Sequence, residues 1–247
     1  MVGREFRSRY LGSLFGSVWS ILQPVSMIIV YTVIFSKIMG ARLSDSDDPW
    51  AFGLFLCAGL LPWNFFSELL GRCQTIFLEH ANLLKKVHFP KITLPIILSI
   101  SCLINFGIIF SIFIAILGLS GRFPGWSIIG YIPLLLIQQS FALGLGMLLG
   151  TMNVFFRDVG HFIGILLQFW FWFTPIVYPA SILPERAISL LKFNPMAQFV
   201  MAYHDIILHN QWPDWMMFKY HIVITLILLF SGFYVFNRLS REMVDEL

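Results

Sequence analysis

Long apolar runs separated by short polar segments organise this chain. Runs fall at 25–39, 51–78, 92–119, 128–153, 162–178 and 221–236. A helix needs roughly 20 apolar residues to cross a bilayer core of about 30 Å, so the pattern predicts six transmembrane helices. The first run is completed by upstream residues, and the second is expected to bend near Pro62, because proline removes a helix donor and crowds the preceding turn. Ahead of the spans, Leu11, Leu14, Phe15, Val18 and Leu22 recur at helical spacing while Arg4, Arg7 and Arg9 crowd the start. This predicts an amphipathic interfacial helix over 4–23, ended by Pro24. Ser8, Gly12, Gly16 and Ser20 place a small residue at every fourth position there, which permits close approach of another helix.

The stretch 179–219 differs from the rest. It is too polar to span, yet rich in Ile, Leu, Phe and Met. Two short amphipathic helices are predicted, near 187–192 and 195–209, broken at Asn194-Pro195. Helices of this kind lie on a membrane or dip in and return, provided protein or water covers their backbone. The fold class that follows is a single all-α integral membrane domain over 1–247. It has six transmembrane helices, an N-terminal interface helix and outer re-entrant helices between spans five and six.

Composition agrees with the pattern. Of 247 residues, 58% are hydrophobic and 12% charged, against about 25% charged in a soluble domain. The net charge of +3 is too small to point to nucleic acid. Its distribution does carry information. An even number of spans puts both ends on one side, and that side collects Arg4, Arg7, Arg9, Lys85, Lys86, Lys91, Arg157, Arg238 and Arg241. The other side has Lys37, Arg42, Arg122, Arg186, Lys192 and Lys219, with Asp45, Asp47 and Asp48 opposing two of them. Basic flanks mark the cytoplasmic side, so both termini and the loops 78–91 and 153–161 are expected there. No cleavable signal peptide is evident: the first long apolar run follows a basic helical segment and lacks a small-residue cleavage site.

Catalytic chemistry is hard to find. Gly118-Leu119-Ser120-Gly121 matches a nucleophile string of intramembrane serine proteases, but Arg122, Phe123 and Pro124 follow it and place it in an outer loop. Ser189-Leu190-Leu191-Lys192 matches a Ser-x-x-Lys pair without the Ser-Asp-Asn or Lys-Thr-Gly that would accompany it. His80, His88, His161, His204, His209 and His221 show no ligand spacing on one helix face, so no metal site is expected. Cys57, Cys73 and Cys102 lie inside apolar runs and read as small apolar side chains. No Gly-Lys dipeptide occurs, so the chain has no P-loop and does not hydrolyse ATP alone.

Polar and aromatic residues within the spans are more informative. Glu68 and Arg72 stand four residues apart, in the order that favours pairing. A lone charge near the bilayer centre costs roughly 2.5–3.5 kcal/mol on insertion scales, so the pair either faces a cavity or is neutralised near the cytoplasmic end and snorkels to headgroups. Asn105, Gln138, Gln139 and Gln168 line a path or bond neighbouring helices. Ala142, Gly146 and Gly150 form a small-residue stripe suited to helix packing. Phe169-Trp170-Phe171-Trp172-Phe173 is an aromatic block within a span rather than at its edge. It suits either a glycan path, because sugars stack apolar C–H faces on rings, or contact with lipid and other helices. Phe169, Trp170, Trp172 and Phe173 are the path candidates, with Glu68 and Arg72. Tyr178, Phe199, Tyr203, Trp212, Trp215 and Tyr220 crowd the outer region, where an interfacial aromatic belt explains many of them.

In the loop 79–90, Leu83, Leu84 and Val87 form an apolar patch flanked by His80, Lys85, Lys86 and His88 before Phe89-Pro90 ends the helix. Such a helix rests on lipid or fits an apolar groove on a soluble partner.

Taken in order and spacing, several strings resemble the membrane subunit of polysaccharide-exporting ABC transporters, the group that moves O-antigen, capsule or teichoic acid. They are Arg7-x-Arg9-Tyr10-Leu11-Gly12-Ser13-Leu14, Trp19, Gln23-Pro24, Tyr31-Thr32-Val33-Ile34-Phe35 and Gly59-Leu60-Leu61-Pro62-Trp63-Asn64-Phe65-Phe66. Further along come Asn82 to Pro90, Asn153-Val154-Phe155-Phe156-Arg157-Asp158-Val159, Thr174-Pro175-Ile176-Val177-Tyr178-Pro179 and Phe193-Asn194-Pro195-Met196. The resemblance covers essentially the whole chain, and the match looks closest to O-antigen members. It implies a homodimer of six-span subunits in the bacterial inner membrane, joined to two copies of a separate ATPase that binds ATP and Mg, with no cofactor in this chain. It also implies a coupling helix at Glu79, Asn82, Leu83, Leu84, Lys85, Lys86, Val87 and Phe89. The outer region around Tyr178, Phe199 and Tyr203 is then the exit gate, and the cargo is lipid-linked polysaccharide. Family members carry more residues before the segment matching Arg4, so the N-terminal helix is expected to be short of its full length. A drug- or lipid-exporting ABC subunit, and more distantly a membrane-embedded enzyme, are the rival readings.

Overall fold

The computed structural model describes residues 51–86, 90–240 and 242–246, with Ser26 and Val30. The helix expected over 4–23, the span over 25–39, and Val87 and Phe89 of the coupling segment lie outside the described residues. Helices are numbered from Ala51. They are α1 (Ala51–Glu79), α2 (Ala81–Lys86), α3 (Thr93–Leu119), α4 (Tyr131–Phe155), α5 (Asp158–Trp172), α6 (Glu185–Leu191), α7 (Pro195–His209), α8 (Lys219–Leu239) and α9 (Glu242–Glu246). A 3-10 turn, Gly125–Gly130, runs directly into α4.

Four of these elements are long and apolar enough to cross a membrane: Ala51–Glu79, Thr93–Leu119, Gly125–Phe155 and Lys219–Leu239. The run expected at 162–178 is helical only as part of α5, whose 15 residues reach about 22 Å at about 1.5 Å per residue. Pro175 and Pro179 follow, and the residue before a proline is driven out of the helical region. Asp158 in the first turn suits the positive end of the helix dipole.

The long α1 is the hub, although Pro62 lies inside it. In its apolar window 78% of the residues are buried, against 17% for α8. Helices α4, α3 and α7 pack against it. Lipid tails are as apolar as leucine, so close backbone approach, rather than exclusion of water, holds such helices together. Gly146 and Gly150 provide that approach on one face of α4. A Cβ on Gly150 would lie 2.6 Å from the Cys73 carbonyl oxygen, and one on Gly146 would lie 2.7 Å from the Cys73 Cβ. On the opposite face Gly144 meets Gly232 of α8, where the buried residues His221, Thr225, Gly232 and Phe236 form a single stripe.

Polar contacts fix the ends. At one end, Lys91 Nζ donates to the Ser240 carbonyl. Asn153 Nδ2 donates to the Gln74 carbonyl at 3.0 Å, and its Oδ1 accepts the Gly160 amide at 2.9 Å. Helix α9 touches α2 at this end, with Met243 buried. At the other end α3 stops at Gly121, whose φ of 71° lets the Arg122 amide reach back to the Leu117 carbonyl at 2.9 Å.

Candidate functional site

The stretch between α5 and α8 folds against the far end of α1, and its anchor is α7. Asn194 caps α7 by accepting from the Met196 and Ala197 amides at 3.1 and 3.3 Å, with Pro195 preset for the first turn. The helix ends at Asn210, in a left-handed conformation with φ 52°. Ser127 Oγ joins this end to the 3-10 turn, donating to the Pro124 carbonyl at 2.6 Å and lying 2.8 Å from Asn210 Oδ1.

Two of the residues expected in the gate, Phe199 and Tyr203, are fully buried on α7. The Tyr203 hydroxyl donates to Gln138 Oε1 at 2.7 Å, and Gln138 Nε2 donates to the Pro62 carbonyl at 2.8 Å. One buried polar chain therefore ties α7, α4 and α1 together at the proline of α1. Next to Tyr203, the His204 ring stacks on Phe55 with centroids 4.1 Å apart, and its Nε2 lies 3.0 Å from the Phe55 carbonyl. A Cβ on Gly59 would come within 3.0 Å of that nitrogen, so glycine is what allows α7 to sit this close.

Burial pushes His204 from about 6.5 down to about 3, so the ring is neutral and donates to Phe55. When unfolded, the same histidine protonates near 6.5. Stability from this group is thus present above that value and lost as pH falls toward 3, at up to about 1.4 kcal/mol per pH unit for one proton. Asp205 is partly buried and shifted upward by burial, so it works in the opposite sense in the carboxylate range. We expect the melting temperature of the detergent-solubilised protein to drop between pH 7 and pH 5. His204→Gln, which keeps a donor for Phe55, should flatten that dependence; an equal slope in the variant would assign it elsewhere.

The aromatic block on α5 divides by face. Phe169, Trp172 and Phe173 are 61%, 60% and 69% exposed. Trp170 turns inward, edge-on to Phe66 at 5.2 Å, Phe141 at 6.4 Å and Trp63 at 6.5 Å. Its indole nitrogen donates to Asn194 Oδ1 at 2.7 Å. The Tyr178 hydroxyl donates to the Trp172 carbonyl at 2.8 Å, folding the segment after α5 back on its last turn.

Glu68 and Arg72 do pair on α1, at 3.5 Å, both partly exposed. Asn105 Nδ2 donates to Glu68 Oε2 at 3.3 Å from α3, and Arg72 points at Cys102 Sγ at 3.9 Å. The charges are thus gathered into one polar cluster between α1 and α3. Gln139 is bonded to Ser99 at 2.7 Å, whereas Gln168 is exposed. At the other end of α1, the chain breaks at His80 and restarts as α2. Glu79, Asn82 and Lys85 are exposed there or nearly so, and Glu79 accepts from Thr75 at 2.7 Å. Leu83 is 38% exposed, but Leu84 is 6% exposed and joins the core. Lys86 closes the helix.

The two serine-containing strings use their hydroxyls locally. Ser120 donates to Leu117 at 3.0 Å and Ser189 to Glu185 at 3.0 Å. Asn194 and Trp63 stand in the sequence only within the strings that carry the resemblance, with no site role attached to them. The Asn-Pro pair signals a helix start, but its reach to Trp170, 24 positions earlier, exists only in three dimensions.

Known proteins of similar sequence bear on this arrangement directly. The chain is 32% identical to "O-antigen export system permease protein RfbA" of Myxococcus xanthus, covering 100% of this chain and 94% of the relative. A protein of the same description from Klebsiella pneumoniae is 26% identical, covering 100% and 93%. The "Polysialic acid transport protein KpsM" of Escherichia coli is 21% identical over 98% and 93%. Residues 1–208 match the ABC-2 type transporter membrane family. With four apolar membrane-length helices among the described residues and a match over most of its length, this chain belongs to the ABC-2 family of multi-pass transporter membrane subunits.

Proposed function

We infer that this chain is the membrane subunit of an ATP-driven exporter that moves lipid-linked polysaccharide, O-antigen in particular, across the bacterial inner membrane. The observation that carries this reading is the similarity to O-antigen export permeases over nearly the full length of both chains. The exposed edge of Phe169, Trp172 and Phe173 supports it, since stacking on flat C–H faces suits a sliding glycan better than fixed charges that would trap it.

In this reading the chain crosses the membrane six times. The run 25–39 is the first crossing and α5, with the turn after it, the fifth; the helix over 4–23 lies in the interface. Both termini are cytoplasmic. The segment 179–219, with α6 and α7, re-enters from the outer side as a gate around Tyr178, Phe199 and Tyr203. Two copies associate with two copies of a separate ATPase. ATP and Mg bind on that partner, so chemical work enters this chain as force on the coupling segment 79–90. Helix α1 suits that role: its 29 residues measure about 43 Å at about 1.5 Å per residue, joining α2 at one end to α7 at the other.

Purification of the tagged chain from its native membrane in mild detergent tests the assignment. We expect a co-eluting ATPase subunit and vanadate-sensitive hydrolysis, with loss of surface glycan when the gene is deleted. An ATPase partner with unchanged surface glycan would redirect the assignment to a drug or lipid exporter. Elution without any ATPase at natural expression would remove the exporter reading itself.

A further inference from the structure

Asn194 uses both ends of its amide on two different helices. Its Oδ1 accepts the two first-turn amides of α7 and also the Trp170 indole N–H at 2.7 Å. Its Nδ2 donates to the Phe173 carbonyl at 3.0 Å and to Thr174 Oγ1 at 3.2 Å, and that hydroxyl donates to the Trp170 carbonyl at 2.8 Å. A cap needs only the first pair of bonds. The remaining three engage the last turn of α5, where orphaned carbonyls at a helix terminus want donors, and a tryptophan wedged among Trp63, Phe66 and Phe141. Between the two helices the connecting residues Ile182, Leu190 and Phe193 are exposed, at 63%, 70% and 85%. Ile176 and Leu191 are buried, so the connection is packed near both ends, and the Asn194 bonds add a direct polar tie from α5 to α7.

We propose that Asn194 is a positioning residue for export, a latch that makes the aromatic end of α5 and the α7 helix move as one body. The proposal rests on the exporter reading above. Its physical content is that the exposed rings Phe169, Trp172 and Phe173 and the buried gate residues Phe199 and Tyr203 share one rigid reference. With the latch broken, α7 keeps its cap and its bonds to α1 and α4, but the aromatic edge is no longer held in register with it. The passage then leaks and export per ATP falls.

Three substitutions separate latch from cap. Asn194→Ser keeps a good N-cap but cannot reach Trp170. Asn194→Asp keeps every accepting role and loses donation to Phe173 and Thr174. Trp170→Phe keeps most of the ring packing and deletes the indole donor alone. Each is expressed in cells lacking the chromosomal gene, with three readouts: surface glycan, entry of a normally excluded small solute, and co-purified ATPase. We expect Asn194→Ser and Trp170→Phe each to lower glycan about 10-fold and raise solute entry, with the ATPase still bound. The double variant should be no worse than Asn194→Ser alone, because the contact that Trp170→Phe removes is one that Asn194→Ser has already lost. Asn194→Asp should fall between them and the unmodified protein. Normal glycan and normal solute entry in Asn194→Ser and Trp170→Phe would overturn the latch and leave Asn194 a cap. Additive losses in the double variant would also overturn it. Failure of the exporter reading is a different result, with the unmodified protein itself showing no ATPase.

Discussion

Leu83→Asp is expected to release the ATPase from the complex while leaving the membrane domain folded. Leu83 sits on α2 with 38% of its surface exposed, beside Asn82 and Lys85, which are exposed too. An exposed leucine on a short helix at the end of the hub helix is the natural anchor for an apolar groove. Truncating such an anchor costs about 2 kcal/mol or more, and a carboxylate forced into the groove without a partner adds to this. Association should weaken at least about 30-fold, and surface glycan should fall with it. The neighbouring position behaves differently. Leu84 is 6% exposed and belongs to the core, so Leu84→Asp buries a charge and should lower the yield of folded protein. The pair is read by co-elution and by thermal unfolding of the purified membrane subunit. Leu83→Asp that still elutes with a full complement of ATPase would remove α2 as the docking point.

Gly144→Leu should cost more than either change on α2, and its effect is on folding itself. A Cβ on Gly144 would lie 2.6 Å from the backbone nitrogen of Leu229 and 2.7 Å from the Leu228 carbonyl carbon. Those atoms are backbone and cannot rotate away. Ordinary overpacking costs roughly 1–3 kcal/mol because side chains shift; in this contact α8 must move as a whole. In a membrane, close approach at small residues of this kind is a main source of helix association. We expect no monodisperse protein after detergent extraction. Gly118→Leu is the control, since a Cβ there meets nothing within 4 Å. Comparable size-exclusion profiles for the two variants would show that the α4–α8 contact is not what holds α8 in place.

These two regions also show what is legible in the sequence. The apolar runs at 51–78, 92–119, 128–153 and 221–236 are the helices α1, α3, α4 and α8, shifted by a few residues, because burial in lipid writes itself as uninterrupted hydropathy. The run at 162–178 stops being helical after Trp172, because hydropathy counts side chains whereas Pro175 and Pro179 act on the backbone. Ala142, Gly146 and Gly150 read as a packing stripe from spacing alone. Gly144 does not, since its reason is the second helix that meets it. Leu83 and Leu84 read as one patch, yet neighbours on a helix point about 100° apart, so one faces out and the other in. The same geometry splits the aromatic block. Five consecutive rings cannot share a side: Trp170 and Phe171 turn inward onto Trp63, and of these Trp170 is the one bonded to Asn194.

The meeting of Gly144 with Gly232 has a consequence for biogenesis. The ribosome delivers α4 to the membrane long before α8 exists, and during that interval the Gly144 groove is bare. It closes only when α8 arrives. Until then the nascent chain carries an adhesive strip that any small-faced helix nearby can occupy, including that of a sister chain. Translation that stalls before α8 is therefore expected to leave a species prone to cross-chain pairing and proteolytic removal.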